Sequence, residues 1–206
     1  FNAYYFMLLK QWKKSLLMEE VRYYFIIIGI STAIIFFNIL NLFSNAFDAL
    51  RHATFQVGSI ITTTGFSSVD FDIWPETSKI ILVLLMFIGA CSGSTGGGIK
   101  VSRIMILIKT VVKELNSYIH PRSVRKIKID GKPVEHDVVR ATNVYFITFM
   151  VVFAFSVFAI SFENIGLVTS FTAVAATINN IGPGLELVGP TQNFSVFGPF
   201  SKYVLM

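Results

Sequence analysis

The chain has 206 residues, of which 53% are hydrophobic and 14% charged, and its mean hydropathy of +0.66 excludes an ordinary soluble domain. A net charge of +5 suggests nucleic-acid binding, but the charge is concentrated in a few connections, as a membrane protein distributes it, and no nucleic-acid partner is expected. The single cysteine, Cys91, excludes an intrachain disulfide framework and a four-cysteine metal site.

In chain order, residues 1–20 read as the inner end of a preceding transmembrane helix. "FNAYYFMLLKQWKKSLL" places its basic cluster after the apolar residues and has no cleavage site, so it is not a secretory signal. Residues 21–118 read as one complete unit. Its outward helix is the apolar run from Tyr23 to Phe43, about the 20 residues a span requires. Ala46 to Ile61 follows, too short and too polar to span, and is expected to dip into the membrane and return as extended chain. Such a segment is tolerated only where it lines water or is buried in protein. "SSVDFDIWPETS" then climbs back, with Trp74 expected as an interfacial anchor. The returning helix runs from Ile80 to Ala90 and resumes from Ile99 to Val112. Between its halves lies Cys91-Ser92-Gly93-Ser94-Thr95-Gly96-Gly97-Gly98, a stretch that disfavours helix.

Residues 119–136 form a basic connection in which "RKIKIDGKPV" alternates like a hairpin around Asp130-Gly131. Residues 137–206 repeat the order. Asp137 to Phe162 is an outward helix, "NIGLVTSFTAVAATI" a short second helix, "NNIGPG" a second glycine-centred stretch, and "SKYVLM" matches the opening of "SKIILVLLMF". The second unit stops early in its last helix, so the chain is expected to be a piece of a longer one.

With the two basic connections on one side, that side collects Lys10, Lys13, Lys14, Arg22, Lys100, Arg103, Lys109, Lys113, Arg122, Arg125, Lys126, Lys128, Lys132 and Arg140. The other keeps Arg51, Lys79 and Lys202 against Asp48, Asp70, Asp72, Glu76, Glu163 and Glu186. The basic side is therefore expected to be cytoplasmic. No Ser/His/Asp set or paired metal-ligand cluster suggests an enzyme. Arg51-His52 reads as a structural contact rather than a proton relay, and His120 and His136 read as surface residues. Asp70 and Asp72 either solvate a loop or raise the cation concentration at an outer mouth.

"TTTGF" at Thr62 to Phe66 and "NNIGP" at Asn179 to Pro183 each follow a short helix. A potassium ion sheds its water only where several oxygens replace it, and consecutive backbone carbonyls on extended chain supply them. Gly65 and Gly182 permit the backbone angles that turn such carbonyls toward an axis. Each short helix also points its partly negative C-terminal end at the membrane centre. The alternative is that each glycine merely ends a buried helix, which recurrence in both units disfavours. "GSTGGGIK" approaches the Walker pattern but fails on spacing, because Ile99 separates Gly98 from Lys100 and Val101 follows.

"TTTGFSSVDF", "GACSGSTGGGIK" and "NNIGPG", in this order, resemble the third and fourth pore repeats of the Trk/Ktr/HKT superfamily of potassium transporters, specifically the bacterial Trk and Ktr membrane subunits. The resemblance covers essentially the whole chain. It implies an all-α, potassium-channel-like membrane fold of four repeats, a multi-pass place in the bacterial inner membrane, and K+ as the transported ion with no other cofactor. Carried over, Thr63, Thr64 and Gly65 would bind K+ through backbone carbonyls in one quadrant, and Asn180, Ile181 and Gly182 in the next. Cys91, Ser92, Gly93, Ser94, Thr95, Gly96, Gly97 and Gly98 would form a gate loop across the pore. The implied partners are membrane lipid, a second copy in a homodimer, and a cytoplasmic nucleotide-binding regulatory subunit of TrkA/KtrA type on the basic face. The alternative is an ion-coupled secondary transporter with broken helices at a central site.

Overall fold

The computed structural model describes residues 17–120 and 126–206. Lys10, Lys13, Lys14, Arg122 and Arg125, and most of the segment expected to end a preceding helix, lie outside those residues. Helix α1, Glu19–Ile39, opens on two carboxylates that complement its N-terminal dipole and runs on through a 3-10 turn at Leu40–Leu42. Helix α2, Ala46–Ile61, buries Ala49, His52, Ala53, Gln56, Val57 and Ile60, a stripe at helical spacing. At 16 residues it reaches only about 24 Å, short of a bilayer core of about 30 Å.

After a 3-10 turn at Phe71–Ile73 comes α3, Glu76–Phe87, then an irregular stretch, then α4, Val101–Ile119. A hairpin follows, with β1 (Lys128–Ile129) and β2 (Lys132–Pro133) paired antiparallel. Its corner residues Asp130 and Gly131 have φ of 50° and 75°, as a two-residue type I′ turn requires. Helix α5, His136–Ser161, is followed by α6, Leu167–Ile178, and finally by α7, Pro199–Leu205, with proline at its first position. By length and composition α1 with its 3-10 extension and α5 are long and apolar enough to cross a membrane. The returning path through α3 and α4 is made of two pieces.

The repeat is physical as well as sequential. The 3-10 turn at Phe71–Ile73 is opened by Asp70, whose side chain accepts from the Asp72 N–H, and the turn at Phe194–Val196 by Asn193, whose side chain accepts from the Ser195 N–H. Trp74 and Phe197 close the two turns, each 2% exposed, and Ser78 and Ser201 are buried in the helices that follow. Trp74 is therefore not an interfacial anchor. Its indole packs edge-on against Phe71 at 6.4 Å inside the core, because the turn folds it inward.

One apolar cluster joins both units, from Ile35 and Ile39 of α1 through α2 and Leu82, Leu85 and Met86 of α3 to Phe153 and Ile160 of α5 and Ala173–Ala175 of α6. Phe87, the last residue of α3, sits edge-on to Phe153 at 5.3 Å and within 6.1 Å of Phe171, and so fixes the end of the broken helix against the second unit. The outward faces of α1 and α5 stay apolar and exposed, at Phe25, Ile30 and Phe37 on one and Val151, Phe155 and Phe158 on the other.

Candidate ion pathway

Helix α2 ends in a Schellman turn: the Thr63 N–H donates to the Ile60 carbonyl at 3.0 Å and the Thr64 N–H to the Ser59 carbonyl at 2.9 Å. Helix α6 ends the same way, from Asn180 to Thr177 at 3.0 Å and from Ile181 to Ala176 at 2.8 Å. The left-handed residue each turn demands is Thr63 (φ 56°) in one and Asn180 (φ 53°) in the other. Neither is glycine. A β-branched threonine is strained in that conformation, which the surroundings must enforce.

The helices are therefore closed before Gly65 and Gly182 are reached, so those glycines do not serve as helix stops. Gly65 has φ 77° and Gly182 φ 112°, and a Cβ on Gly65 would overlap the carbonyl oxygen of Ile181. The two extended segments thus lie against one another. Among the described residues, the carbonyls of Thr63, Thr64, Gly65, Asn180, Ile181 and Gly182 accept no hydrogen bond. Unpaired carbonyls in consecutive order, at matching places in two units, leave free oxygens of the kind that can replace the water of a cation. Ser59 steadies the first segment by donating its hydroxyl to the Phe66 carbonyl at 2.5 Å.

The break between α3 and α4 is wider than the glycine run, extending from Ile88 to Lys100. Its neck is closed by a parallel bridge in which the Gly89 N–H donates to the Ile99 carbonyl (2.9 Å) and the Ile99 N–H to the Phe87 carbonyl (3.0 Å). Its tip reaches the two segments. The Gly97 N–H donates to the Thr63 Oγ1 at 3.0 Å, and Gly97 lies so close to Asn179 that a Cβ would overlap the latter's carbonyl oxygen. Lys100 folds back and donates its ammonium to the Ser94 carbonyl and hydroxyl, each at 3.1 Å, and to the Gly96 carbonyl. On the other flank the Glu20 carboxylate accepts from the Ser92 N–H at 2.6 Å and the Ser102 N–H at 3.3 Å, joining both limbs of the break to α1. Cys91 is a half-buried free thiol.

At the acidic end the carboxylates tie loops together. Asp72 accepts from the Glu186 N–H at 3.0 Å, Glu186 from the Thr169 hydroxyl at 2.7 Å, and Glu163 from the Gly198 N–H at 3.0 Å. His52 stacks on Phe43 at 5.0 Å and shares a 2.8 Å hydrogen bond with Ser68, a structural contact. His120 and His136 are exposed. Sequence reasoning missed Glu20, which looked like an ordinary acidic helix start, and the inward turn of Lys100. The only signal for Lys100 was its place just after the glycine run.

Two units of long helix, short helix, extended segment and returning helix, the returning helix of the first being broken, define an all-α membrane protein of potassium-channel-like architecture. The chain matches the family model described as TrkH, cation transport protein, over residues 13–206, and it belongs to that family. It is 36% identical over 182 residues to the Trk system potassium uptake protein TrkH of Escherichia coli K12, covering 88% of this chain and 37% of that protein. It is 38% identical over 164 residues to the protein of the same name from Vibrio parahaemolyticus, covering 80% and 33%. The crystal structure of the potassium transporter TrkH from Vibrio parahaemolyticus superimposes with a TM-score of 0.89 at 33% identity, over all of this chain and 44% of that one. The chain thus spans well under half the length of these relatives.

Proposed function

We propose that this chain supplies two of the four sectors of a potassium uptake pore in the bacterial inner membrane. The observation that carries this reading is the pair of Schellman-closed helices followed by unpaired carbonyls at Thr63, Thr64 and Gly65 and at Asn180, Ile181 and Gly182. These carbonyls replace the water of K+, and the C-terminal ends of α2 and α6 lower the energy of the cation beside them. The membrane potential drives the ion inward with about 2.3 kcal/mol per 100 mV for each charge. Residues 21–118 are one pore repeat, 119–136 the cytoplasmic connection, and 137–206 belong to the next repeat. The loop from Cys91 to Gly98 lies against both sectors and is the gate.

The full protein works as a homodimer among membrane lipids, with a cytoplasmic nucleotide-binding ring docked on the basic face. The relatives' name, potassium uptake protein of a Trk system, supports the ion and the existence of further components. The test is ion flux through the full-length protein in proteoliposomes. Channel-like, weakly coupled K+ flux is expected, and strict stoichiometric coupling to H+ or Na+ would favour a secondary transporter instead.

A further inference from the structure

A loop with glycine at three consecutive positions, Gly96 to Gly98, has little conformational preference of its own, so whatever holds it against Thr63 and Asn179 must be a specific contact. Its tip makes one backbone hydrogen bond to Thr63. The denser set of contacts is internal, the Lys100 ammonium on the Ser94 carbonyl, the Ser94 hydroxyl and the Gly96 carbonyl. Among the described residues no carboxylate forms an ion pair with Lys100. Its charge is met by loop oxygens instead. Lys100 is partly buried, and an ammonium partly withdrawn from water is stabilised where loop oxygens solvate it, so the ammonium and the folded loop support each other.

We propose that Lys100 is the positioning residue of the gate: its ammonium is a tethered cation that occupies the loop's own oxygens and so holds the loop folded against the filter. Opening then requires the ammonium to leave Ser94 and Gly96, after which those oxygens are free to meet a permeating K+. This rests on the reading of the loop as a gate and adds to it the group that keeps the gate shut.

The experiment uses the full-length protein with Cys91→Ser as background, so that Lys100→Cys provides the only thiol of this region. In proteoliposomes without the regulatory partner, C91S/K100C is expected to pass K+ at least about tenfold faster than C91S alone, the effect on an equilibrium of losing one charge-assisted hydrogen bond. Aminoethylation of the introduced thiol, which rebuilds an ammonium at lysine's length, is expected to restore the low resting flux. A neutral alkyl group of similar size is not. K+ over Na+ selectivity should stay that of wild type, because the filter is untouched. Restoration by both reagents alike would mean that packing rather than charge holds the loop, and would overturn the proposal. A wild-type resting rate in C91S/K100C would overturn it while leaving the gate intact, provided that deleting Gly96–Gly98 still opens the pathway. If that deletion also fails to open it, the gate reading itself falls.

A measurement on the unaltered protein covers a variant that does not fold. Amidination of Lys100 by a small permeant imidate, followed by peptide mass spectrometry, should run several-fold slower in the resting state than in the activated complex. Equal rates would exclude the tether.

Discussion

Gly65 and Gly182 carry different demands from the residues that stop the helices. At Gly65 a side chain meets both a left-handed backbone, costing about 1–2 kcal/mol, and the Ile181 carbonyl, which it would push aside. Gly65→Ser is therefore expected to reduce K+ over Na+ selectivity by about tenfold, a loss near 1.4 kcal/mol, while protein levels stay close to wild type. Unchanged selectivity at matched expression would remove Gly65 from the filter. No side-chain clash awaits a Cβ on Gly182, so Gly182→Ser should cost less than Gly65→Ser, and the ratio of the two selectivity losses reads the difference directly. Thr63 has a second task, accepting from Gly97. Thr63→Val keeps the shape but removes the acceptor, and it should raise resting flux where Thr63→Ser does not. Both glycines were legible in the sequence because they recur after matching helices. The left-handed threonine was not, since local preference argues against it and only tertiary contacts hold it there.

Among the elements, the broken helix was foreseen in kind but not in extent. The first half of the returning helix was expected to run from Ile80 to Ala90, yet α3 stops at Phe87. Aromatic packing on Phe153 and Phe171 and the pairing of Ile88 with Ile99 override local propensity, and neither partner is near in sequence or visible in composition. If the loop obstructs ions, deleting Gly96–Gly98 should let K+ flow without the regulatory partner or its ligand. A simple kink would instead straighten or misfold. Cys91, which is half-buried, should react faster with a small thiol reagent from the cytoplasmic side once the pathway is activated. One labelling rate in both states, with a folded and still activator-dependent deletion, would reassign the break. The hairpin, by contrast, was readable to the residue, because Asp130-Gly131 flanked by alternating apolar residues leaves few other turns.

For the whole molecule, the internal repeat made the helical architecture legible, and the separation of charge along the chain is the ground for expecting the basic side to face the cytoplasm. Lys126, Lys128 and Lys132 are exposed beside the hairpin, while Lys109 is occupied by Glu19 and by the Lys128 carbonyl. Replacing Lys126 and Lys128 with glutamate should weaken docking of a cytoplasmic partner and flatten its salt dependence, with basal flux unchanged. Unaltered affinity across a salt series would move the interface elsewhere. The closed neck at Ile88 and Ile99 has a mechanical consequence. A pull on the basic end of α4 reaches the α3 limb through three backbone hydrogen bonds, Gly89 to Ile99, Ile99 to Phe87 and Val101 to Ala90, that bypass the glycine run and relieve the loop of tension. The two half-helices are therefore spliced independently of the loop, whose place is set separately by its own contacts to Thr63, Lys100 and Glu20.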